Sequence, residues 1–69
     1  MYYNLRVIAD NEVLSCVASD RKGALHDFGE KLSASLTLND TGKPAPYLLG
    51  ETDQNLHWVK TDIPVYTTD

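Results

Sequence analysis

DRKGALHDFGEKLSASL, residues Asp20–Leu36, is the stretch that decides how the rest of the chain folds. Its apolar residues recur at steps of three and four, which places them on one stripe of a helix. These residues are Ala24, Leu25, Phe28, Leu32 and Leu36. A lone helix of this length is marginal in water, so we expect its stripe to be buried against a sheet.

The two ends of this helix are indicated by local signals. Ser19 or Asp20 can cap its start by accepting hydrogen bonds from the free amides of the first turn. Gly29 lies beside the apolar stripe, and we interpret it as a close-approach point between the helix and the sheet. We predict that the helix ends between Ser35 and Leu38. The alternatives are that it continues to a cap at Asn39 or that Leu36–Leu38 are already extended.

The segments before the helix alternate apolar and polar residues and predict a β-hairpin. Its strands are Tyr2–Ala9 and Glu12–Ala18, with Asp10–Asn11 at the tip, where both residues tolerate positive φ. A two-residue loop sets Leu5 opposite Cys16, and alternation then sorts the side chains onto two faces. The apolar face carries Tyr3, Leu5, Val7, Leu14, Cys16 and Ala18.

A second hairpin is predicted after a loop that contains glycine and proline. Its strands are Tyr47–Thr52 and Leu56–Thr61, joined around Asp53–Asn55. A loop of two or four residues places Trp58 on the same side as Tyr47, whereas a three-residue loop would mix the two sides. We therefore predict that Trp58 is a core residue; the alternative is that it forms a binding patch with Tyr47.

The last segment, residues 62–69, is either a short edge strand or a tail over the open side of the sheet. Pro64 suits an edge because it cannot donate to a ladder. Residues 1–69 are therefore expected to form a single small α+β domain. The predicted order is β-β-α-β-β, with one helix packed on an antiparallel sheet and a C-terminal edge strand if residues 62–69 pair.

One helix covers only one face of a sheet, so the opposite face is expected to expose apolar side chains as a dimer or partner surface. The candidate binding residues on this predicted open face are Arg6, Ile8, Val13, Val17, Leu48, His57 and Val59. The alternative is that these are ordinary scattered surface residues, or that the C-terminal segment covers them.

The charge of the chain narrows the class of partner. A formal net charge of -4 disfavours nucleic acids and anionic membranes, which attract basic surfaces. It permits a basic partner. A candidate acidic binding surface comprises Asp27, Glu30, Glu51 and Asp53.

Motifs for catalysis are missing from the sequence. Gly42 and Lys43 lack the glycine five positions earlier that a phosphate-binding loop requires, since position 37 is threonine. No zinc-binding pattern occurs, and Cys16 points into the predicted core. We therefore expect no catalytic residue, no metal and no cofactor, and predict that the protein is not an enzyme.

The cysteine count and the hydropathy pattern bear on location. The single cysteine excludes an internal disulfide and favours a reducing compartment. The sequence shows no signal peptide and no membrane span, so we expect a cytoplasmic protein without a membrane partner.

Together these features favour a small acidic protein-binding module that acts as an inhibitor, an antitoxin-like partner or an adaptor. A phage or mobile-element origin is suggested by size and architecture alone. The expected partner is another protein, or a second copy in a homodimer. The alternative is a single-stranded nucleic-acid-binding module that uses the open face of the sheet, although the sign of the charge opposes it.

Overall fold

The chain forms one helix and five strands in the computed structural model, which describes residues 1–68. These elements are β1 (Tyr2–Val7), β2 (Val13–Val17), α1 (Arg21–Leu32), β3 (Leu36–Leu38), β4 (Tyr47–Thr52) and β5 (Trp58–Thr67). All five strands lie in one antiparallel sheet with α1 packed on it, so the predicted α+β class is confirmed. Within residues 1–68, no helix is long and apolar enough to cross a membrane.

The order of the strands determines which parts of the sheet stay open. The order is β2-β1-β4-β5-β3, and every neighbouring pair is antiparallel. The helix follows β2 at one edge and leads into β3 at the other edge, so it crosses one face of the sheet. The opposite face is therefore left without a helical layer.

The core joins the apolar stripe of α1 to the inner strands of the sheet. The buried apolar residues are Tyr3, Leu5, Ala24, Leu25, Phe28, Leu49 and Val65. Burying one large apolar side chain stabilises a fold by about 1.5–3 kcal/mol, so this cluster supplies much of the driving force for folding. The predicted burial of the stripe is confirmed from Ala24 to Phe28, and Leu32 is half-buried against the same cluster.

The helix begins at a predicted cap and ends earlier than predicted. Asp20 is the cap, and its Oδ1 accepts a hydrogen bond from the amide of Gly23 at 2.8 Å. The helix ends at Leu32 because Ser33 adopts a left-handed conformation with φ of 53°. A left-handed residue directly after a helix reverses the chain and satisfies the last carbonyls. The prediction that the helix ends between Ser35 and Leu38 is therefore wrong.

Gly29 lies where the reversed chain returns. The amide of Ala34 donates to the carbonyl of Gly29 at 2.9 Å, and a Cβ on Gly29 would lie 2.5 Å from the oxygen of Ala34. Gly29 is thus a close-approach point, as predicted. We predicted the sheet as its neighbour, however, and the neighbour is the chain that returns after the helix. The reversal places Leu36 in β3, so the alternative of an extended segment here is correct.

The first hairpin keeps its predicted faces but not its predicted register. Leu5 lies opposite Leu14, and Tyr3 lies opposite Cys16, a shift of two residues from the prediction. The shift arises because the turn is longer than two residues: the amide of Asn11 donates to the carbonyl of Val7 at 2.9 Å. Since side chains alternate with a period of two, a two-residue shift leaves the apolar face unchanged.

The C-terminal segment forms the end of a long inner strand. Residues 62–67 continue β5, which lies between β4 and β3, so the edge strand is β3 and the predicted C-terminal edge strand is wrong. Pro64 is tolerated there because its carbonyl, which accepts from the amide of Asn39 at 2.8 Å, faces the point where β3 ends. In an antiparallel strand the N–H and C=O of one residue point to the same side. An N–H at position 64 would therefore point toward β3, and proline costs no hydrogen bond to β4. Asp69 lies outside the described residues.

Candidate functional site

The sheet face without a helix is the candidate site, and its composition follows from register and alternation. We call it the uncovered sheet face. It comprises Tyr2, Asn4, Arg6, Val13, Ser15, Val17, Thr37, Leu48, Gly50, Thr52, Trp58, Pro64 and Tyr66. Side chains from all five strands therefore share one surface.

One row across this face is apolar and aromatic. The register aligns Val17 of β2, Tyr2 of β1, Thr52 of β4 and Trp58 of β5. Three of the four side chains are large and exposed: Val17 at 63%, Trp58 at 59% and Tyr2 at 44%. Tryptophan and tyrosine are the residues most enriched among binding hot spots. The row is thus the part of the face best suited to contact a partner.

Trp58 rests on the glycine of the neighbouring strand. A Cβ on Gly50 would lie only 2.8 Å from Cζ3 of the indole and 3.5 Å from Cη2. Gly50 therefore leaves the space that the six-membered ring occupies, and the ring covers the bare backbone of β4. The indole is held against the sheet and still exposes more than half of its surface.

The prediction that Trp58 belongs to the core is wrong, and the loop before it explains why. The amide of Asp53 donates to the carbonyl of His57 at 3.0 Å, which leaves a loop of residues 54–56. A loop with an odd number of residues moves each side chain of the second strand to the other face of the sheet. This is the three-residue loop that the sequence left open as an alternative. Trp58 consequently lies opposite Thr52, on the side away from α1.

The same loop holds an exposed leucine in an unfavourable conformation. Leu56 has φ of 63°, and its side chain is 64% exposed. A left-handed conformation costs a residue with a side chain about 1–2 kcal/mol, and glycine usually occupies this loop position. Its amide donates to the carbonyl of Asp53 at 3.0 Å, which closes the turn. The three-residue hairpin loop itself requires a left-handed residue at this position.

The polar groups of the uncovered sheet face are paired with one another. Ser15 donates to the side-chain oxygen of Asn4 at 2.7 Å. Arg6 forms an ion pair with Asp62 at 3.3 Å, with both side chains exposed. Within residues 1–68, Arg6 is the one basic residue of this face, and its charge is offset. The face is therefore close to neutral, although the chain as a whole is acidic.

The residues predicted for the open face divide into two groups. Arg6, Val13, Val17 and Leu48 do share the uncovered sheet face. Ile8 lies in the turn after β1, and His57 lies in the loop before β5 with Nδ1 3.5 Å from Asp53.

Val59, also predicted for the open face, lies where the side-chain alternation of β5 is interrupted, so the register does not assign it to the uncovered sheet face. The pairing of Thr52 with Trp58 and of Glu51 with Lys60 leaves Val59 as the extra residue of a β-bulge. It is 58% exposed there.

The predicted acidic surface does not form one patch. Asp27 and Glu30 are exposed on α1, where Glu30 lies 3.2 Å from Nε2 of His26. Asp53 is half-buried and accepts hydrogen bonds from two amides of its own loop, including that of His57 at 3.0 Å.

Glu51 was predicted to be part of that acidic surface, and it is buried instead. Alternation along β4 places it with Leu49 on the face that α1 covers, where only 5% of the residue is exposed. Arg21, in the first turn of α1, forms an ion pair with it, and a second contact joins Nη2 to Oε2 at 3.4 Å. The hydrogen bond to Glu51 raises the pKa of the Arg21 guanidinium above its ordinary value, so the guanidinium stays charged.

Cys16 is half-buried against the core, as its predicted face requires. Burial raises the pKa of its thiol above the ordinary value, and the nearby carboxylate of Asp27 adds to this effect. A thiol with a raised pKa is a poor nucleophile at neutral pH.

Sequence reasoning missed Tyr2, Gly50 and Trp58 as one unit of the candidate site. The available signal was Gly50 within a predicted strand, since an interior glycine often marks a place where another group approaches the backbone.

Comparison with protein-family models, with curated proteins and with solved structures gave no match for this chain.

Proposed function

We propose that the protein is a non-enzymatic binding module that docks another protein on the uncovered sheet face. One observation carries the proposal: Trp58 is 59% exposed and lies in a row with Tyr2 and Val17 on a face that no helix covers. Contiguous exposed apolar side chains on a small domain are typical of partner surfaces.

The arrangement of this face suits a protein interface. The indole of Trp58 is already held against Gly50, so binding would immobilise few additional degrees of freedom. The Asn4–Ser15 and Arg6–Asp62 pairs lie beside the apolar row and leave it free of unpaired charge. An apolar row with paired polar groups beside it is compatible with the mixed apolar and polar composition of protein interfaces.

The class of partner follows from size and charge. The roles that we propose for such a module are those of an inhibitor, an antitoxin-like partner or an adaptor, each of which needs an exposed docking surface. The formal net charge of -4 accelerates association with a basic protein. The phage or mobile-element origin remains a proposal by analogy of size and architecture.

A second candidate function is single-stranded nucleic-acid binding. It is favoured by the exposed rings of Tyr2 and Trp58, which share one sheet face and could stack bases. It is disfavoured because Arg6 is paired with Asp62 and the chain carries net negative charge. Phosphate binding relies on unpaired basic groups, so we rank this function second.

The test compares two variants of adjacent, equally exposed residues. Trp58 is 59% exposed in the apolar row, and Val59 is 58% exposed at the neighbouring bulge, outside that row. We expect immobilised wild-type protein and Val59→Ala to capture the same partner protein from the source lysate at physiological salt. We expect Trp58→Ala to lower that capture at least about tenfold, as truncation of a hot-spot residue does.

Circular dichroism serves as the control that both variants fold. Equal capture by Trp58→Ala and wild type would contradict the proposed surface. Recovery of nucleic acid without protein, lost in Trp58→Ala, would favour the second candidate function.

A further inference from the structure

The two edges of the sheet are not equivalent. At the β2 edge, the side chain of Lys31 donates to the carbonyl of Ser15 at 3.2 Å. An edge lysine of this kind hinders the addition of another strand. The β3 edge has no such cover among residues 1–68. Hydrogen bonds from Thr68 to Ser35 and from Asn39 to Pro64 show that the odd-numbered residues of this segment face β5.

Leu36 and Leu38 therefore direct their backbone groups outward, away from β5. Two amides and two carbonyls of β3 stand at an open edge. The side chains of the same two leucines are only half-buried, although they pack against the core. An edge with free backbone groups beside half-covered leucines is suited to accept one more strand.

A groove of about 970 Å³ runs between this edge and the helix. Its apolar lining includes Leu25 of α1 together with the two leucines of β3. Its helical rim carries Lys22, His26 and Glu30, which follow one another at four-residue steps. The groove is therefore apolar at its base and charged at its rim.

We propose that the β3 edge pairs with the β3 edge of a second copy of this chain. The two strands run antiparallel about a twofold axis at Thr37, so that Leu36 of each copy lies opposite Leu38 of the other. This register is self-complementary, because each outward amide meets an outward carbonyl. Four backbone hydrogen bonds form, and four half-buried leucines cover one another. The result is a continuous sheet of ten strands.

The charges on the helical rim support a second copy as the occupant. The twofold axis sets the two α1 helices antiparallel, so the residues of the two rims run in opposite directions. Lys22 then faces Glu30 of the second copy, and His26 faces its own counterpart. Opposite charges meet on both sides of the axis, and the antiparallel helix dipoles are also favourable. A strand from an unrelated protein would have no such built-in match.

The dimer has a consequence that rests on the proposed function. A twofold axis perpendicular to a continuous sheet leaves both uncovered sheet faces on the same side. Two Trp58 side chains then point toward the same partner surface. Bivalent docking of this kind raises avidity without any new contact. Dimerisation itself does not depend on this step and is tested separately.

The first test places a charge on the axis. At the axis, Thr37 lies opposite its own counterpart in a non-hydrogen-bonded pair, where side chains approach closely. Sedimentation equilibrium of wild type from about 10 μM to 1 mM should reveal a monomer–dimer equilibrium, as an interface of this small size predicts. Thr37→Lys should weaken dimerisation at least about tenfold, because two like charges then meet. Thr37→Val, which keeps the β-branched shape, should leave it unchanged.

The second test exchanges the rim charges. Lys22→Glu and Glu30→Lys should each weaken dimerisation, since each places like charges opposite one another. The double variant should restore it, and an equimolar mixture of the two single variants should form heterodimers. A monomer at every concentration, or a dimer that Thr37→Lys leaves intact, would overturn the proposal. Loss of the dimer in Trp58→Ala alone would overturn it in favour of the uncovered sheet face.

Discussion

At the scale of single residues, the second hairpin concentrates the unusual features of the molecule. Leu56 holds a left-handed conformation with φ of 63° that glycine would adopt without strain. Gly50 leaves space that a Cβ would fill, and Trp58 occupies that space. A leucine where glycine would be more stable, next to an exposed tryptophan, is compatible with the contact surface that we propose.

Leu56→Gly tests this interpretation. We expect the variant to raise the free energy of unfolding by about 1 kcal/mol, because the left-handed conformation no longer strains a side chain. Urea unfolding measures this change. The same variant should weaken partner capture, since it removes a side chain that is 64% exposed at the edge of the candidate site. A variant that is less stable than wild type would contradict the strain argument.

At the scale of elements, the start of α1 is attached to β4 by a charged pair. Glu51 is buried on the helix-covered face, and Arg21 reaches it from the first turn of the helix. The Arg6–Asp62 pair on the uncovered sheet face is exposed on both sides. Exposed ion pairs contribute little, whereas removing one partner leaves a buried carboxylate without its hydrogen bonds.

Arg21→Ala and Arg6→Ala therefore form a matched comparison. We expect Arg21→Ala to lower the free energy of unfolding by about 1.5–3 kcal/mol, the range for a hydrogen bond to a charged group. We expect Arg6→Ala to change it by less than about 0.5 kcal/mol. Chemical denaturation of both variants checks the prediction. Adding Glu51→Gln to Arg21→Ala should recover part of the loss, because the neutral amide is less costly to bury.

At the scale of the whole molecule, the thin core contains ionisable groups. Tyr3 is 2% exposed, and burial raises the pKa of its hydroxyl above 10.0, with the Glu51 carboxylate adding to the effect. The thiol of Cys16 is shifted upward from 9.0 for the same main reason. In both groups the folded state binds its proton more tightly than the unfolded state. Their contribution to stability is therefore present below the unfolded pKa and is lost as the pH rises through the folded pKa.

This linkage predicts that stability falls in alkaline solution, beginning near pH 9.0 for Cys16 and near pH 10.0 for Tyr3. Tyr3→Phe keeps the buried ring and removes the ionisable hydroxyl, so its stability should decline less above pH 10.0. Urea unfolding of wild type and variant across this range measures the difference. An equally steep decline in both proteins would mean that Tyr3 does not contribute.

The sequence by itself determined the features that depend on local periodicity. The stripe from Ala24 to Phe28 is buried because its spacing matches the helical repeat, which places its apolar side chains on one face of the helix. The apolar face of the first hairpin survived an error of two residues in register, since a period of two is unchanged by such a shift. The α+β class follows from these two patterns.

Only the tertiary structure decided the features that depend on contacts between distant residues. The side occupied by Trp58 depends on whether the preceding loop has an odd or an even number of residues, and a hydrogen bond from Asp53 to His57 settles that. The burial of Glu51 depends on Arg21, thirty positions away. Strand order makes β3 an edge and β5 an inner strand. The physical reason is that side-chain alternation is local, whereas strand partners and their register are fixed by hydrogen bonds across the sheet.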